Sequence, residues 1–245
     1  MNRVVVITGA GQGIGKEIAL TISERGDTAV IIDKEMVSAK ETERMIRLSG
    51  SVASSYCADL TSHNEVSAVF AEIVRNHQKI DVLINNAGYY LLKSVEELNI
   101  EIWNSVIDAN MKTAFLCSLE AFKYMKIASY GKIINMTSTT AFTSGAGLCP
   151  YISAKAGVIG LTRAMAVDMG PYNITVNAIA AGLITSENAV KVFGEDRFDK
   201  TRGLKVIKRD QQPADLMGTV FFLMDTASDF ITGQTICVDG GRVFL

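Results

Sequence analysis

Tyr151 and Lys155 stand four residues apart in the run YISAKAGVIGLTRAMAVDM. On a helix that spacing puts both side chains on one face, a turn apart, so a phenol and an ammonium can address one ligand. A free phenol has a pKa of about 10, and bringing it to about 7 takes roughly 4 kcal/mol of preference for the phenolate. One unit charge about 4 Å away, at an effective dielectric near 20, supplies about that much. The spacing therefore predicts an acid/base pair that works near neutral pH, with Lys155 lowering the Tyr151 phenol. An ordinary surface helix has the same spacing, so the pair takes its meaning from its surroundings.

A second stretch points to phosphate chemistry. VVVITGAGQGIGKEIAL places Gly9, Gly11, Gly13 and Gly15 between an apolar run and a helical one. Glycines let the backbone turn tightly and let a pyrophosphate reach the free N–H groups at the helix start. Asp33 ends the next apolar run, 18 residues after Gly15, where a carboxylate can accept from the ribose hydroxyls of an adenosine. Together these features predict a dinucleotide site. Asp33 would repel a 2′-phosphate and Gln12 adds no positive charge within the loop, which favours NAD(H) over NADP(H), although Lys16 and Lys34 are near in sequence.

Short apolar runs must position these groups. VVVITG, TAVIID, VASSYCADL, DVLINNAG, GKIINMTS, ITVNAIAAG and TICVDGG read as strands leading into turns. Between them, stretches such as KEIALTISERG, EVSAVFAEIVRNH and WNSVIDANMKTAFLCSLEAFKYM carry apolar residues at helical spacing. Strands apolar on both faces, alternating with helices, predict an α/β fold: a doubly wound, Rossmann-like parallel sheet of about seven strands with helices on both faces. Its ligands belong beyond the carboxyl ends of the strands. A single dinucleotide-binding and catalytic domain is expected over 1–245, with the charged segment 186–210 as a candidate substrate lid within it.

With 48% hydrophobic and 20% charged residues, the 245-residue chain can bury a sizeable core. A net charge of −2 gives no electrostatic reason to expect nucleic acid or an anionic membrane as partner. Four scattered cysteines and two histidines form no metal-ligand pattern, so no metal is expected, and each cysteine is read as a small buried hydrophobe. No apolar run is long enough for a membrane span, and no signal peptide opens the chain, so a cytoplasmic location is expected.

These motifs, in this order, resemble the short-chain dehydrogenase/reductase family over nearly the whole length. Thr8, Gly9, Gly13 and Gly15 match its glycine motif, Asp59 with Leu60 its adenine-side aspartate, and Asn85 to Gly88 its NNAG. Asn110, Ser138, Tyr151 and Lys155 match its catalytic set. The resemblance implies that Tyr151 exchanges a proton with a secondary alcohol or ketone as hydride moves to or from the nicotinamide. Ser138 would hold the substrate oxygen, Lys155 the nicotinamide ribose, and Asn110 a proton-relaying water. It also implies cofactor contacts at Gly9, Gln12, Gly13, Ile14, Gly15, Asp33, Lys34, Asp59, Leu60, Asn86, Ala87, Gly88, Tyr151, Lys155, Gly182, Ile184 and Ser186, and a homotetramer. Taken singly, Ser138 could merely end a strand and Asn110 could be a polar residue satisfied in a helix bend. Ala181 stands where the family has proline, which is expected to loosen the start of the lid.

The expected substrate is a small alcohol or carbonyl compound between apolar and aromatic walls: Tyr89, Tyr90 and Leu91, the segment Thr140 to Leu148, and the lid from Ile184. TSTT, YNITVNAI and GLI resemble NAD-dependent members that oxidise ring-bearing alcohols. Two alternatives share the motifs: an NADPH-dependent 3-oxoacyl-carrier-protein reductase and a non-catalytic nicotinamide sensor. The first presents basic residues near its active-site entrance where this chain has Ser129 and Tyr172, though Arg197, Lys200, Arg202, Lys205 and Lys208 in the lid favour it. The intact catalytic set speaks against the second.

Overall fold

The computed structural model describes residues 2–245. Seven strands pair in one parallel sheet in the order β3-β2-β1-β4-β5-β6-β7. They are β1 (Val4–Thr8), β2 (Thr28–Asp33), β3 (Ala53–Cys57), β4 (Val82–Asn85), β5 (Gly131–Ser138), β6 (Ile174–Ala181) and β7 (Thr235–Val238). The predicted sheet is present, each strand stopping where its expected run enters a turn. The helices are α1 (Gly13–Glu24), α2 (Met36–Leu48), α3 (His63–His77), α4 (Ile100–Ile107), α5 (Thr113–Ala128), α6 (Thr140–Thr143), α7 (Cys149–Met169), α8 (Glu187–Phe193), α9 (Glu195–Leu204) and α10 (Met217–Met224).

Period-two alternation splits the strand side chains between two cores. Val4 and Val6 of β1 face a cluster with Val66, Phe70 and Ile73 of α3, Leu116 and Met125 of α5, and Met165 of α7. Val5 and Ile7 face the opposite cluster, with Ile18 and Ile22 of α1, Ile46 of α2, and Val220 and Leu223 of α10. A sheet covered on both faces explains why β1, β4, β5 and β6 are buried along their length. Strand order reverses between β1 and β4, and the turns after their carboxyl ends open a crevice there.

The stretch WNSVIDANMKTAFLCSLEAFKYM, expected as one helical run, is interrupted. A π-helical turn at Asp108–Lys112 separates α4 from α5. The expectation of buried cysteines holds for Cys117, holds in part for half-buried Cys237, and fails for Cys57 and Cys149, which are exposed. Cys57 ends β3, the edge strand, and Cys149 is the first residue of α7, so both lie at the ends of their elements.

Candidate active site

The carboxyl ends of the strands surround a cleft of about 820 Å³. One end is made of backbone. Gly9, at φ +63°, turns the chain out of β1, and a Cβ there would lie 2.8 Å from the Cα of Ala87. The β1 and β4 turns therefore touch, and side chains lock them together. The Thr8 hydroxyl accepts from the Asn86 and Ala87 N–H groups, both at 3.0 Å, while Asn86 Nδ2 donates to the Thr8 and Gly9 carbonyls at 3.0 and 3.1 Å. Gly15 does not line the cleft. It lies beneath the loop, where a Cβ would strike the Gly9 carbonyl and the Asn86 amide.

Asp33 is aimed by the same loop: Oδ2 accepts from Gly11 N at 2.9 Å and Oδ1 from Glu35 N at 3.1 Å. Each oxygen keeps further acceptor capacity for a ligand. Asp59 lies across the cleft, with Oδ1 accepting from the Thr61 N–H and hydroxyl at 2.9 and 2.7 Å. Those two bonds hold its carboxyl below the usual range, helped by Lys34 and Lys112. Gln12, the residue before helix α1, makes no side-chain capping bond, and the helix's first turn carries no acid. Free N–H groups and the positive end of the dipole thus face the cleft without a competing anion. Such an end fits the pyrophosphate of a dinucleotide, with Asp33 placed for an adenosine ribose.

The other end is made of side chains from distant segments. Ser138 ends β5, and its hydroxyl oxygen accepts from Thr140 N at 3.2 Å and Thr140 Oγ1 at 2.9 Å. Tyr151 and Lys155 lie on α7 with the Lys155 ammonium 5.7 Å from the Tyr151 ring centre. The π-turn carries Asn110 inward, where Nδ2 donates to the Tyr89 carbonyl at 2.6 Å and the Val106 carbonyl at 2.8 Å. Its Oδ1 is buried without a partner among the described residues, beside Gly88. The reading of Asn110 as fully satisfied in a helix bend is therefore half true. The four candidate catalytic residues share one cleft wall.

The expected charge relation between Tyr151 and Lys155 needs correction. Burial pushes the Tyr151 phenol up to about 12, with Tyr90 adding to the rise and hydrogen bonding by Ser138 opposing it. Burial pushes the Lys155 ammonium down to about 8, and its Nζ donates to the Met136 carbonyl at 2.9 Å. Attraction alone predicts a phenolate near neutrality; desolvation, which penalises both charged forms, is the largest influence on each group here, and Lys155 is not among the influences on Tyr151.

The segment 186–210 folds as α8 and α9. Ser186 caps α8, its Oγ accepting from Ala189 N at 3.1 Å. Phe193, the last residue of α8, stacks on Tyr90 with centres 5.1 Å apart, and Tyr90 meets Tyr151 edge-on at 5.8 Å. The base of the segment is tied: Thr185 N donates to the Gln211 carbonyl and Gln211 Nε2 to the Val238 carbonyl, at 2.8 and 2.7 Å. Ala181, in the place of the expected proline, pairs in register with Ser138 and Val238, so the strand runs in order up to the segment.

Every other candidate cofactor residue lines the cleft, as do Tyr89, Tyr90, Thr140, Ser144 and Leu148 of the expected walls; Leu91 is not among the lining residues. Together with the geometry, one comparison decides the family. A model described as enoyl-(acyl carrier protein) reductase matches residues 9–242. The chain is a short-chain dehydrogenase/reductase.

Relatives agree along their full length. The chain is 37% identical to the BbsD subunit of the (2S)-((R)-hydroxy(phenyl)methyl)succinyl-CoA dehydrogenase of Thauera aromatica, covering 98% of this chain and 96% of the relative. It is 34% identical to the 3-oxoacyl-(acyl-carrier-protein) reductase FabG of Staphylococcus epidermidis, covering 98% and 99%. The crystal structure of a gluconate dehydrogenase from Agrobacterium tumefaciens, described as putative, superposes with a TM-score of 0.95 at 33% identity, covering 99% of this chain and 96% of that one.

In this short-chain dehydrogenase/reductase, Ser129 and Tyr172 precede the amino ends of β5 and β6, opposite the cleft. Their types therefore say nothing about the entrance to this chain's own site, which corrects that part of the sequence argument. Phe193 and Arg242 line the cleft although no motif singled them out, and Arg197, read only as one of the basic lid residues, lines it too. Arg242 follows the carboxyl end of β7, a location that the strand-end rule alone could have flagged.

Proposed function

We propose that this short-chain dehydrogenase/reductase is an NAD(H)-dependent oxidoreductase of a secondary alcohol and its ketone, with Tyr151 as the proton donor and acceptor. One observation carries the reading: the Tyr151 phenol, Ser138 hydroxyl, Lys155 ammonium and unpartnered Asn110 oxygen share one cleft with Asp33. When bound, the nicotinamide would accept or supply the hydride. Gly9, Gln12, Gly13 and Ile14 would hold its pyrophosphate, Asp33 and Lys34 the adenosine ribose, Asp59 and Leu60 the adenine side, and Asn86 to Gly88, Gly182, Ile184 and Ser186 the nicotinamide half.

The chain's own groups then divide the work. Ser138 donates to the substrate oxygen and fixes it within reach of the phenol. In reduction Tyr151 gives its proton to that oxygen. A phenol held at about 12 is still far more acidic than the alkanol being formed, so this transfer runs downhill. In oxidation the same oxygen takes the proton back. Lys155, buried beside the Met136 carbonyl, hydrogen-bonds the ribose, and Asn110 Oδ1 accepts from a water that links Lys155 to solvent. Tyr90 and Phe193 form an aromatic wall, which fits a ring-bearing alcohol; the Thauera relative acts on a phenyl-bearing one. The segment 186–210 serves as the substrate lid.

A second reading is an NADPH-dependent 3-oxoacyl-carrier-protein reductase. The Staphylococcus relative and the presence of Lys16 and Lys34 in the cleft favour it. A pure sensor would have no use for a proton relay. Exposed Phe115 on α5, Val167 on α7, and Phe244 and Leu245 beyond β7 offer apolar surface for the proposed homotetramer, and the cytoplasm is the proposed location. Fluorescence titration of the protein with NADH and with NADPH tests the cofactor reading. Tight NADH binding with much weaker NADPH binding is expected; preference for NADPH supports the second reading, and binding of neither overturns both.

A further inference from the structure

The cleft is charged unevenly. Its carboxylates, Asp33 and Asp59, belong to the end built by the first three strands. The end around Tyr151 presents Lys155, Arg197 and Arg242 and, among the described residues that line it, no carboxylate. Lys155 is occupied by the Met136 carbonyl. Arg197 is not. It leaves α9 half-buried, with its guanidinium 4.9 Å from the centre of the Phe193 ring and no hydrogen bond or ion pair among the described residues. Away from the cleft, the buried and half-buried cations among the described residues have an acid or carbonyl: Arg3 has Asp27, Lys93 has Glu97, Lys132 has Asp229, Arg202 has Asp210, and Lys205 has the Arg209 carbonyl.

A guanidinium cannot shed its proton to escape this setting. Burial and the like charge of Arg242 both hold it below the usual arginine value, so the position is electrostatically unfavourable as it stands. Two contacts nevertheless fix it there. Phe193 lies under its face, and the turn after α6 closes on its edge, where a Cβ at Gly145 would come 3.0 Å from Nη2. The protein therefore holds an uncompensated cation in the substrate half of the cleft, and an anion brought by the substrate is what would compensate it.

We infer that Arg197, with Arg242 in the same cleft, binds a carboxylate on the substrate, so that the alcohol is an acid. The inference rests on the hydride-transfer reading above. A guanidinium paired with an aromatic ring spends no N–H donor on a carbonyl or acid, and its planar N–H fork matches the two-oxygen edge of a carboxylate. A run of ring contacts connects the phenol to this cation: Tyr151 to Tyr90 is 5.8 Å, Tyr90 to Phe193 5.1 Å, and Phe193 to Arg197 4.9 Å.

Calorimetric titration of the full chain, with and without NADH, tests this with 3-phenylpropanoate, 3-phenylpropanamide and coenzyme A as probes. The acid is expected to bind about tenfold or more tightly than the amide. Arg197→Met should abolish that preference while NADH binding is kept, and Arg197→Lys should retain part of it. Equal binding of acid and amide, or a preference that survives in both Arg197 variants, overturns the assignment. Coenzyme A binding more tightly than the acid, in an Arg197-dependent way, also overturns it, because the anion would then be a carrier's phosphate. An Arg197-dependent acid preference in a protein that binds neither dinucleotide supports the anion site and sinks the hydride reading. NADH binding without the preference does the reverse.

Discussion

The two ends of the cleft are built by different means. At the dinucleotide end, backbone does the positioning: Gly9, Gly11 and Gly13 shape a loop, and its N–H groups with Thr8 and Asn86 fix Asp33 and the β4 turn through a closed set of hydrogen bonds. At the substrate end, long side chains from β5, α7, the loop after β4 and α8–α9 meet by stacking, and polar atoms are left open, Asn110 Oδ1 and the Arg197 guanidinium among them. A ligand that never changes suits rigid backbone. A ligand that differs from one family member to the next suits side chains that can be exchanged without disturbing the loop.

If the two ends are separable in this way, damage to one should leave the other intact. Tyr151→Phe should have the largest effect, lowering turnover by about 100- to 10,000-fold with NADH affinity unchanged. Stopped-flow turnover and fluorescence titration on the same preparation read both quantities. Wild-type turnover in the variant would remove Tyr151 from the chemistry, and parallel loss of NADH affinity would mean that the two ends are one unit.

Lys155 lies on the boundary and should appear in stability as well as rate. Its folded value of about 8 is below that of an unfolded lysine, near 10.4, so between those pH values the unfolded chain binds more protons. Stability contributed by this group is therefore lowest below pH 8 and climbs as pH rises, by roughly 3 kcal/mol at most. Tyr151 has the opposite sign but acts only above about pH 10, where an unfolded phenol ionises and the folded one does not. Urea denaturation of wild type and Lys155→Met between pH 7 and 9.5 isolates the lysine. The wild-type curve should rise relative to the variant; parallel curves would show that the ammonium is not desolvated.

Asp33→Asn should weaken NADH by about tenfold to a hundredfold, since a charge-assisted hydrogen bond becomes a neutral one, and should narrow the gap to NADPH. The substrate end should not feel the change. An altered ratio of substrate affinities in the ternary complex would contradict the separation drawn here.

The same contrast decides what could be read in advance. VVVIT, TAVIID and GKIINMTS announce themselves as doubly buried strands because both faces of a parallel sheet demand apolar residues, and the glycines and Asp33 follow from a backbone requirement that leaves fixed spacings. The π-turn at Asp108–Lys112 leaves no such trace, because one extra residue in a helical turn barely shifts apolar periodicity over so long a run. Tyr90 meets Phe193 only through tertiary packing, so no spacing encodes that stack, although Phe193 and Arg197 lie four residues apart. The lowering expected of Tyr151 went the other way for a related reason: burial belongs to the fold, and four-residue spacing cannot reveal it.

The smallest predicted effect falls where the two ends join. Ser186 caps α8 through its oxygen and still has a hydroxyl proton to give to a ligand. Ser186→Ala removes both and should cost about 1 kcal/mol at the helix start, seen as faster proteolysis within 186–210. Ser186→Asp separates the roles, since aspartate is a good cap but at neutral pH has no proton to donate. The aspartate variant should regain protease resistance and not NADH affinity if the hydroxyl contacts the nicotinamide half. Recovery of both would make Ser186 a helix cap alone and move the boundary of the dinucleotide end back to Gly182 and Ile184.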